Sequence, residues 1–240
     1  MFDSDIFNEA RTAEVNPPIS GLFLASGILA VAIVGAAAVT NGSALVPLII
    51  FGLVVAIVMR GLRWSYPHDV LGLCNVVTLV RAAMVAFLAG AAIDATGSGW
   101  LVFWVAAIAF ALDGIDGWLA RRAGLTSRFG ARFDMETDAL LAAVLAVWLL
   151  ATGTTGPEIL ILGFMRYLFC AASFFVTALR AELPESYRRK AVCVIQIGAL
   201  IALLFPMTPE VMAVPVSFFA AILLCWSFAV DINWLLRRST

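Results

Sequence analysis

The feature that most constrains this chain is a series of long apolar stretches separated by short polar breaks. A helix needs about 20 residues to cross the ~30 Å hydrocarbon core of a bilayer, and each stretch is close to that length. Hydrophobic residues make up 63% of the chain and charged residues only 13%, whereas soluble domains have about 45–50% and about 25%. We therefore predict an all-α integral membrane protein with about eight transmembrane helices, at roughly 18–40, 44–62, 75–95, 100–121, 137–153, 158–179, 191–206 and 211–235.

The connections between the predicted helices differ in their content of positively charged residues. Arg and Lys occur in every second connection and at the C-terminal end of the chain, whereas the other four connections contain neither residue. The positive-inside rule then predicts that both termini are cytosolic, with residues 1–17 as a cytosolic tail. We expect a bacterial cytoplasmic membrane protein. The net charge of −1 offers no basic surface for nucleic acid, so we expect no nucleic-acid partner.

Aspartates concentrate around the end of the fourth predicted span. Asp113 and Asp116 are three residues apart, and Asp134 and Asp138 are four apart, so each pair can share a helix face. Ionisable residues in apolar stretches are costly and by default functional. Four adjacent carboxylates cannot all ionise without cations, and their oxygens suit Mg²⁺ or Mn²⁺. The pattern predicts a metal site at the cytosolic headgroup level, and we expect two ions there.

The residues after Asp116 suit a phosphate-bearing substrate. Gly117 has no side chain, and Ala120 keeps the same helix face clear one turn later. Arg121 adds a planar, permanently charged fork that can bind phosphate with two hydrogen bonds. Together with metal ions, these residues indicate a substrate that contains a diphosphate.

These residues form a pattern that resembles the signature of the CDP-alcohol phosphotransferases, also called CDP-alcohol phosphatidyltransferases. The pattern is Asp113-x-x-Asp116-Gly117-x-x-Ala120-Arg121, eight further residues, then Gly130-x-x-x-Asp134-x-x-x-Asp138. A second element, Asn75-x-x-Thr78-x-x-Arg81, resembles the family's P-N-x-x-T-x-x-R, with Cys74 where proline is usual. The resemblance covers about 75–236, a six-helix catalytic core. Two additional transmembrane helices at 18–62 and an interfacial linker at 63–74 precede it.

The resemblance implies membrane phospholipid synthesis. A metal-dependent enzyme of this kind transfers a substituted phosphoryl group from a CDP-alcohol, here expected to be CDP-diacylglycerol, to a hydroxyl acceptor and releases CMP. It implies that Asp113, Asp116, Asp134 and Asp138 hold the metal, and that Asp138 is also the catalytic base. The implied nucleotide contacts are Asn75, Thr78, Gly117, Ala120, Arg121 and Gly130. Family members are commonly homodimers within membrane lipid, and we expect the same here.

The acceptor is less constrained. Arg166 lies inside the sixth apolar stretch, where a cation is expensive, and we predict that Arg166, Arg189 and Lys190 bind the acceptor. A phosphate pocket formed by Arg166 and Lys190 would suit glycerol phosphate or inositol phosphate, but Arg189 and Lys190 are equally well explained as topology anchors. Phosphatidylglycerophosphate synthases usually have Arg-Glu where this chain has Arg166-Tyr167, so the acceptor stays open.

Two other classes of function are compatible with the aspartates. A divalent-cation transporter or channel would use them to line its pathway, and a catalytically silent membrane scaffold would not need them. The transporter is disfavoured because the aspartates cluster at one membrane face and not at mid-bilayer. Release of CMP from CDP-diacylglycerol separates an enzyme from both alternatives.

Overall fold

A computed structural model describes residues 17–40, 42–94, 98–181, 183–184 and 186–239 of the chain. The protein is 84% helical and has no strands in these residues, which confirms the predicted all-α class. Eight α-helices follow one another in the described chain, with a short 3₁₀ turn at Thr177–Arg180 between the sixth and seventh. They are α1 (Ile19–Val39), α2 (Leu45–Ser65), α3 (Gly72–Asp94), α4 (Gly99–Ala123), α5 (Arg128–Ala151), α6 (Ile159–Phe175), α7 (Tyr187–Leu204) and α8 (Glu210–Ser239).

Five of the described helices, α1 to α4 and α8, are long and apolar enough to cross a membrane. Helix α6 is apolar but has only 17 residues. Helices α5 and α7 begin with polar turns that contain several charged residues, such as Arg128 and Arg188. All eight predicted apolar stretches are helical. However, α5, α6 and α7 are not both long enough and apolar enough to be candidate membrane spans.

Several helices extend beyond the apolar stretches that predicted them. The fifth stretch was placed at 137–153, whereas α5 begins at Arg128. Its first turns carry charged residues on one face, and hydropathy detects only the apolar part of such a helix. Helices also occupy both ends of the predicted linker at 63–74, so the non-helical connection runs only from Tyr66 to Leu71. Most of the predicted tail at 1–17 lies outside the described residues.

The chain divides into two compact units. The first contains α1 to α3, α4 from Val105 onward and α5 as far as Thr137. Its buried apolar core joins α1 and α2 to α3 and to the first turns of α5. Large side chains on the outside of α1 and α2, such as Leu24, Val31 and Ile57, are exposed, as expected of surfaces that face lipid.

The second unit contains the first turns of α4, the rest of α5, and α6 to α8. Small residues bring α5 and α6 close together, because a Cβ at Gly163 would lie 2.6 Å from the Cβ of Ala146 and 3.1 Å from the Cα of Ala143. Close backbone approach through small residues is a common mode of helix packing in membranes. Gln196 of α7 donates a hydrogen bond to the backbone carbonyl of Leu162 in α6.

Candidate active site

Three of the four predicted aspartates come together in the first unit. Asp113 and Asp116 lie on the second half of α4, and Asp134 lies in the second turn of α5. One carboxylate oxygen from each lies within 4.8 Å of the others. Asp116 is buried, whereas Asp113 and Asp134 are partly exposed. The cluster is therefore open on one side and closed on the other.

A short connection between α4 and α5 brings these aspartates together. Helix α4 is terminated by Gly124, which adopts a positive φ of 65°, and the N–H of Leu125 returns to the carbonyl of Ala120. This is the Schellman arrangement that glycine favours at a helix C-terminus. Ser127 then caps α5, because its hydroxyl accepts a hydrogen bond from the N–H of Gly130 at 3.0 Å. The chain thus reverses within residues 124–127 and returns Asp134 to α4.

Arg81 of α3 lies at the centre of the three carboxylates. Its side chain is 1% exposed, and its Nη2 atom lies 3.0 Å from Asp113. The Nη1 atom donates to Asp116 at 2.9 Å and also to Asp134. The Nε–H group donates to the backbone carbonyl of Ala109 at 3.0 Å. A buried cation with this many partners is held in one orientation, so Arg81 draws three aspartates from two helices toward one point.

Arg81 was not among the residues assigned to the site from sequence. The sequence contained a signal for its role, because placing an arginine inside the apolar stretch at 75–95 costs about as much free energy as placing an aspartate there. The same holds for Asp231, which lies within the last apolar stretch and is buried in α8. In both cases the partners come from other helices that are distant in sequence.

Thr78 contacts the cluster directly. Its hydroxyl donates toward Asp116 Oδ2 at 3.0 Å and toward the carbonyl of Cys74 at 3.1 Å. Thr78 and Arg81 are three residues apart and so share the face of α3 that meets α4. Both are buried.

Asn75 is buried one turn before Thr78. Its amide donates hydrogen bonds to the Tyr66 hydroxyl at 2.9 Å and to the carbonyl of Leu71 at 2.7 Å. A Cβ at Gly130 would lie 3.4 Å from the Asn75 Oδ1 atom and 3.2 Å from the Ser127 hydroxyl. Asn75 therefore lies directly against the first turn of α5, at the position where only glycine fits without displacement.

The other predicted nucleotide contacts lie on α4 beside Asp116. A Cβ at Gly117 would lie 3.4 Å from Arg121 Nη1, so the Arg121 side chain folds back along the helix over Gly117. Arg121 is exposed, and Gly117 and Ala120 are partly buried. The three residues form an accessible surface next to the carboxylates.

Asp138 follows Asp134 by one helical turn and is partly buried. It begins the part of α5 that belongs to the second unit. Glu136, between the two aspartates, is exposed.

The predicted acceptor residues lie in the second unit. Arg189 contacts Asp231 of α8 at 3.3 Å and also donates to the carbonyl of Pro184. The neighbouring Arg188 contacts the same aspartate and donates to the backbone carbonyl of Ser227 at 2.7 Å. Arg189 therefore helps to join α7 to α8. Arg166 of α6 is partly buried and Lys190 is exposed.

The donor set of the cluster fits a hard divalent cation. All three ligand groups are carboxylates, and neither histidine nor cysteine belongs to the group. Oxygen-only sites of this kind favour Mg²⁺ or Mn²⁺ over zinc or copper. The accessible side of the cluster, formed by Asp113 and Asp134, leaves room for water or substrate oxygens in the coordination sphere.

Comparison with known families gives one match. The model of the CDP-alcohol phosphatidyltransferase family matches residues 71–232, which include α3 to α7 and most of α8. The matched region contains Arg81 and all four predicted aspartates. No individual curated protein and no solved structure gives a significant match.

Proposed function

Because the chain belongs to the CDP-alcohol phosphatidyltransferase family, we propose that it synthesises a membrane phospholipid from CDP-diacylglycerol and a hydroxyl acceptor. The family supports transfer of a phosphatidyl group from a CDP-alcohol. The observation that carries the proposal is the convergence of Asp113, Asp116 and Asp134 within 4.8 Å, inside the region that matches the family.

The reaction requires one bond to form and one to break at phosphorus. The acceptor hydroxyl oxygen attacks the phosphorus that carries the lipid alcohol, and the bond from that phosphorus to the bridging oxygen of CMP breaks. CMP leaves with the electron pair of that bond, and the hydroxyl proton passes to a base. We assign that base to Asp138, one turn beyond Asp134. A carboxylate is a weak base compared with an alkoxide, so it takes the proton late in the transition state.

Asp113, Asp116 and Asp134, with Asp138, would hold Mg²⁺ or Mn²⁺, and two ions are expected. When bound, the metal neutralises the diphosphate and stabilises the departing CMP. Arg81 and Thr78 fix the orientation of the carboxylates from the buried side. This leaves the exposed side of the cluster for substrate.

The nucleotide end of the substrate is assigned to the surface beside Asp116. Arg121 supplies a two-pronged donor for phosphate, and Gly117 and Ala120 leave its helix face uncovered. Asn75 and Thr78 of α3 and Gly130 of α5 are assigned to the same surface. The assignment is supported by the location of all six residues in the first unit, by the contact of Thr78 with Asp116 and by the contact of Asn75 with the first turn of α5 at Gly130.

The acceptor-binding site is assigned to basic residues of the second unit. Arg166 and Lys190 are the basic groups proposed to bind it. Arg189 is engaged by Asp231, so its contribution would be to position its neighbour Lys190. A phosphorylated alcohol and a neutral alcohol are both compatible acceptors.

We also propose that the active site faces the cytosol and that the enzyme is a homodimer in a bacterial cytoplasmic membrane. Arg121 and Arg122 end α4, Arg128 begins α5, and Arg237 and Arg238 end α8. The positive-inside rule places such helix ends on the cytosolic side.

The test is transfer by the purified protein in lipid–detergent micelles. Labelled CDP-diacylglycerol is incubated with a panel of hydroxyl acceptors, and CMP and lipid products are measured by mass spectrometry. We expect CMP release that depends on one acceptor and is abolished by Asp116→Asn. A cation transporter or a scaffold would release no CMP with any acceptor.

A further inference from the structure

The two additional helices share one buried core with the start of α5. Leu22 and Ile33 of α1 and Phe51, Val58 and Leu62 of α2 belong to this core, and so do Phe129 and Phe133 of α5. Phe129 directly precedes Gly130, and Phe133 directly precedes Asp134. Two members of this shared core are thus the immediate neighbours of two site residues.

Gly61 of α2 lies against the Phe129 ring. A Cβ at Gly61 would collide with Phe129 Cε2 and would lie 2.6 Å from Phe129 Cδ2. Carbon atoms in contact are normally about 3.5–4.0 Å apart, so a side chain fits at this position only if the Phe129 ring moves. Gly52 of the same helix has no atom within 4 Å of an added Cβ. The tight contact is therefore specific to the end of α2 that approaches α5.

Tyr66 follows the last turn of α2 and joins two parts of the site. Its ring packs edge-on against Phe129, with centroids 5.7 Å apart. Its hydroxyl accepts the hydrogen bond from Asn75 at 2.9 Å and donates toward the carbonyl of Val70 at 3.0 Å. Burial raises the pKa of Tyr66 to about 12, so the hydroxyl keeps its proton at neutral pH.

The connection after Tyr66 also packs against the α4–α5 turn. Gly72 adopts a positive φ of 71°, and a Cβ there would lie 2.6 Å from Leu125 Cδ1. The segment from Gly61 to Gly72 thus contacts both the turn that returns Asp134 to α4, at Leu125, and the first turn of α5, at Phe129.

We propose that the end of α2 and Tyr66 form a brace that positions Asn75 and the first turn of α5 for binding of the CDP-alcohol. The brace consists of Gly61 and Tyr66, and both residues contact Phe129 in the first turn of α5. Tyr66 is a positioning residue, because it acts through its contacts with Asn75 and Phe129. This inference rests on the proposed function and assigns a role to α2, which lies outside the matched region.

The brace predicts a specific kinetic effect. Asn75 and Gly130 border the nucleotide surface, so loss of the brace weakens substrate binding more than the chemical step. Loss of one hydrogen bond, as in Tyr66→Phe, should raise KM for CDP-diacylglycerol roughly threefold to tenfold. Gly61→Ala displaces Phe129 and should raise KM by at least as much. In both variants kcat should stay within about twofold of the wild type.

Matched controls separate the brace from general destabilisation. Gly52→Ala makes the same change on α2 in open space, and Tyr187→Phe removes a hydroxyl from a residue that is 92% exposed. Both should leave KM unchanged. Gly61→Ala combined with Phe129→Leu creates space for the added methyl group and should reverse most of the increase in KM that Gly61→Ala causes alone.

The experiment measures KM, kcat and the melting temperature of these variants in one micelle composition, together with the thermal shift caused by CDP-diacylglycerol. A raised KM and a reduced thermal shift in Tyr66→Phe and Gly61→Ala, with both controls normal, supports the brace. If the wild type releases CMP normally and both variants have the same KM as their controls, the brace is overturned and the proposed function is not. If the wild type releases no CMP, the proposed function is overturned instead. The thermal shift caused by CDP-diacylglycerol then still tests the brace, because it compares substrate binding in the variants with binding in their controls.

Discussion

The Arg81 guanidinium lies 2.9 Å from a carboxylate oxygen of Asp116, and both side chains are at least 96% buried. The same guanidinium contacts Asp113 and Asp134. One guanidinium is therefore shared by three carboxylates. A divalent cation held by the same carboxylates would add positive charge at the partly exposed side of the cluster, while Arg81 holds them from within the protein.

Replacement of Arg81 should destabilise the protein most when no divalent cation is present. Arg81→Met removes the buried counter-ion of three carboxylates, and loss of one partner of a buried ion pair costs about 3–5 kcal/mol. We expect a large fall in melting temperature in EDTA and a smaller one in Mg²⁺, because the cation replaces part of the lost charge. Arg122→Met is the control, because Arg122 is exposed and surface changes alter stability by only about 0.5 kcal/mol. Equal losses in the two variants would contradict the role of Arg81.

Removal of divalent cations should abolish activity. The cluster of three carboxylates offers oxygen ligands only, and such sites need Mg²⁺ or Mn²⁺ to bind a diphosphate. CMP release should stop in excess EDTA and return when either ion is added. The melting temperature should also rise with the ion in the wild type, by mass action on the folded state. Full turnover in excess EDTA would refute the carboxylate site.

Arg121 should determine affinity for the nucleotide substrate. Arg121→Lys keeps the charge but loses the planar fork that binds phosphate at two points. We expect an increase in KM for CDP-diacylglycerol with little change in melting temperature. The neighbouring Arg122→Lys is the control, since Arg122 lies over the Trp118 ring and is not assigned to the substrate. Wild-type kinetics in Arg121→Lys would mean that Arg121 serves only to anchor the helix end.

Asp138 should differ from the other aspartates in its kinetic effect. Asp138→Asn removes the basic oxygen and should lower kcat by roughly 10²–10⁴-fold, as for a lost general base, while nucleotide affinity falls far less. Asp113→Asn should weaken metal and substrate binding together with the rate. Substrate binding and single-turnover transfer measure the two effects separately.

Glu136→Gln is the control for this comparison, because Glu136 is exposed between Asp134 and Asp138 and should be nearly neutral. If Asp138→Asn loses as much nucleotide affinity as Asp113→Asn, Asp138 is a metal ligand and not the base. An inactive Glu136→Gln variant would show that the assignment of helix faces in α5 is wrong.

Hydropathy was sufficient to predict the helices because backbone groups in lipid must satisfy one another within each segment. It did not locate the start of α5 at Arg128, since the first turns of that helix are polar on one side. There the cap residue Ser127 and the preceding Gly124 are better guides, because they satisfy the free backbone groups at each helix end.

Part of the site follows from local spacing, and part does not. Asp113 and Asp116 are three residues apart, so a single helix brings them together. The burial of Arg81 among them depends on the packing of α3 against α4 and α5, which no local pattern describes. Asp231 was missed for the same reason, since its partners Arg188 and Arg189 come from another helix.

The position of Arg81 before the aspartates in the chain has a consequence for biogenesis. Synthesis proceeds from the N-terminus, so α3 reaches the membrane before α4 and α5. An isolated arginine in the centre of a helix adds about 2.5–3.5 kcal/mol to the cost of insertion, which the apolar remainder of α3 must offset. When α4 follows, Asp113 and Asp116 meet a cation that is already in place. The carboxylates therefore need not enter the bilayer without any counter-ion, because the nascent chain supplies one positive charge before any metal arrives.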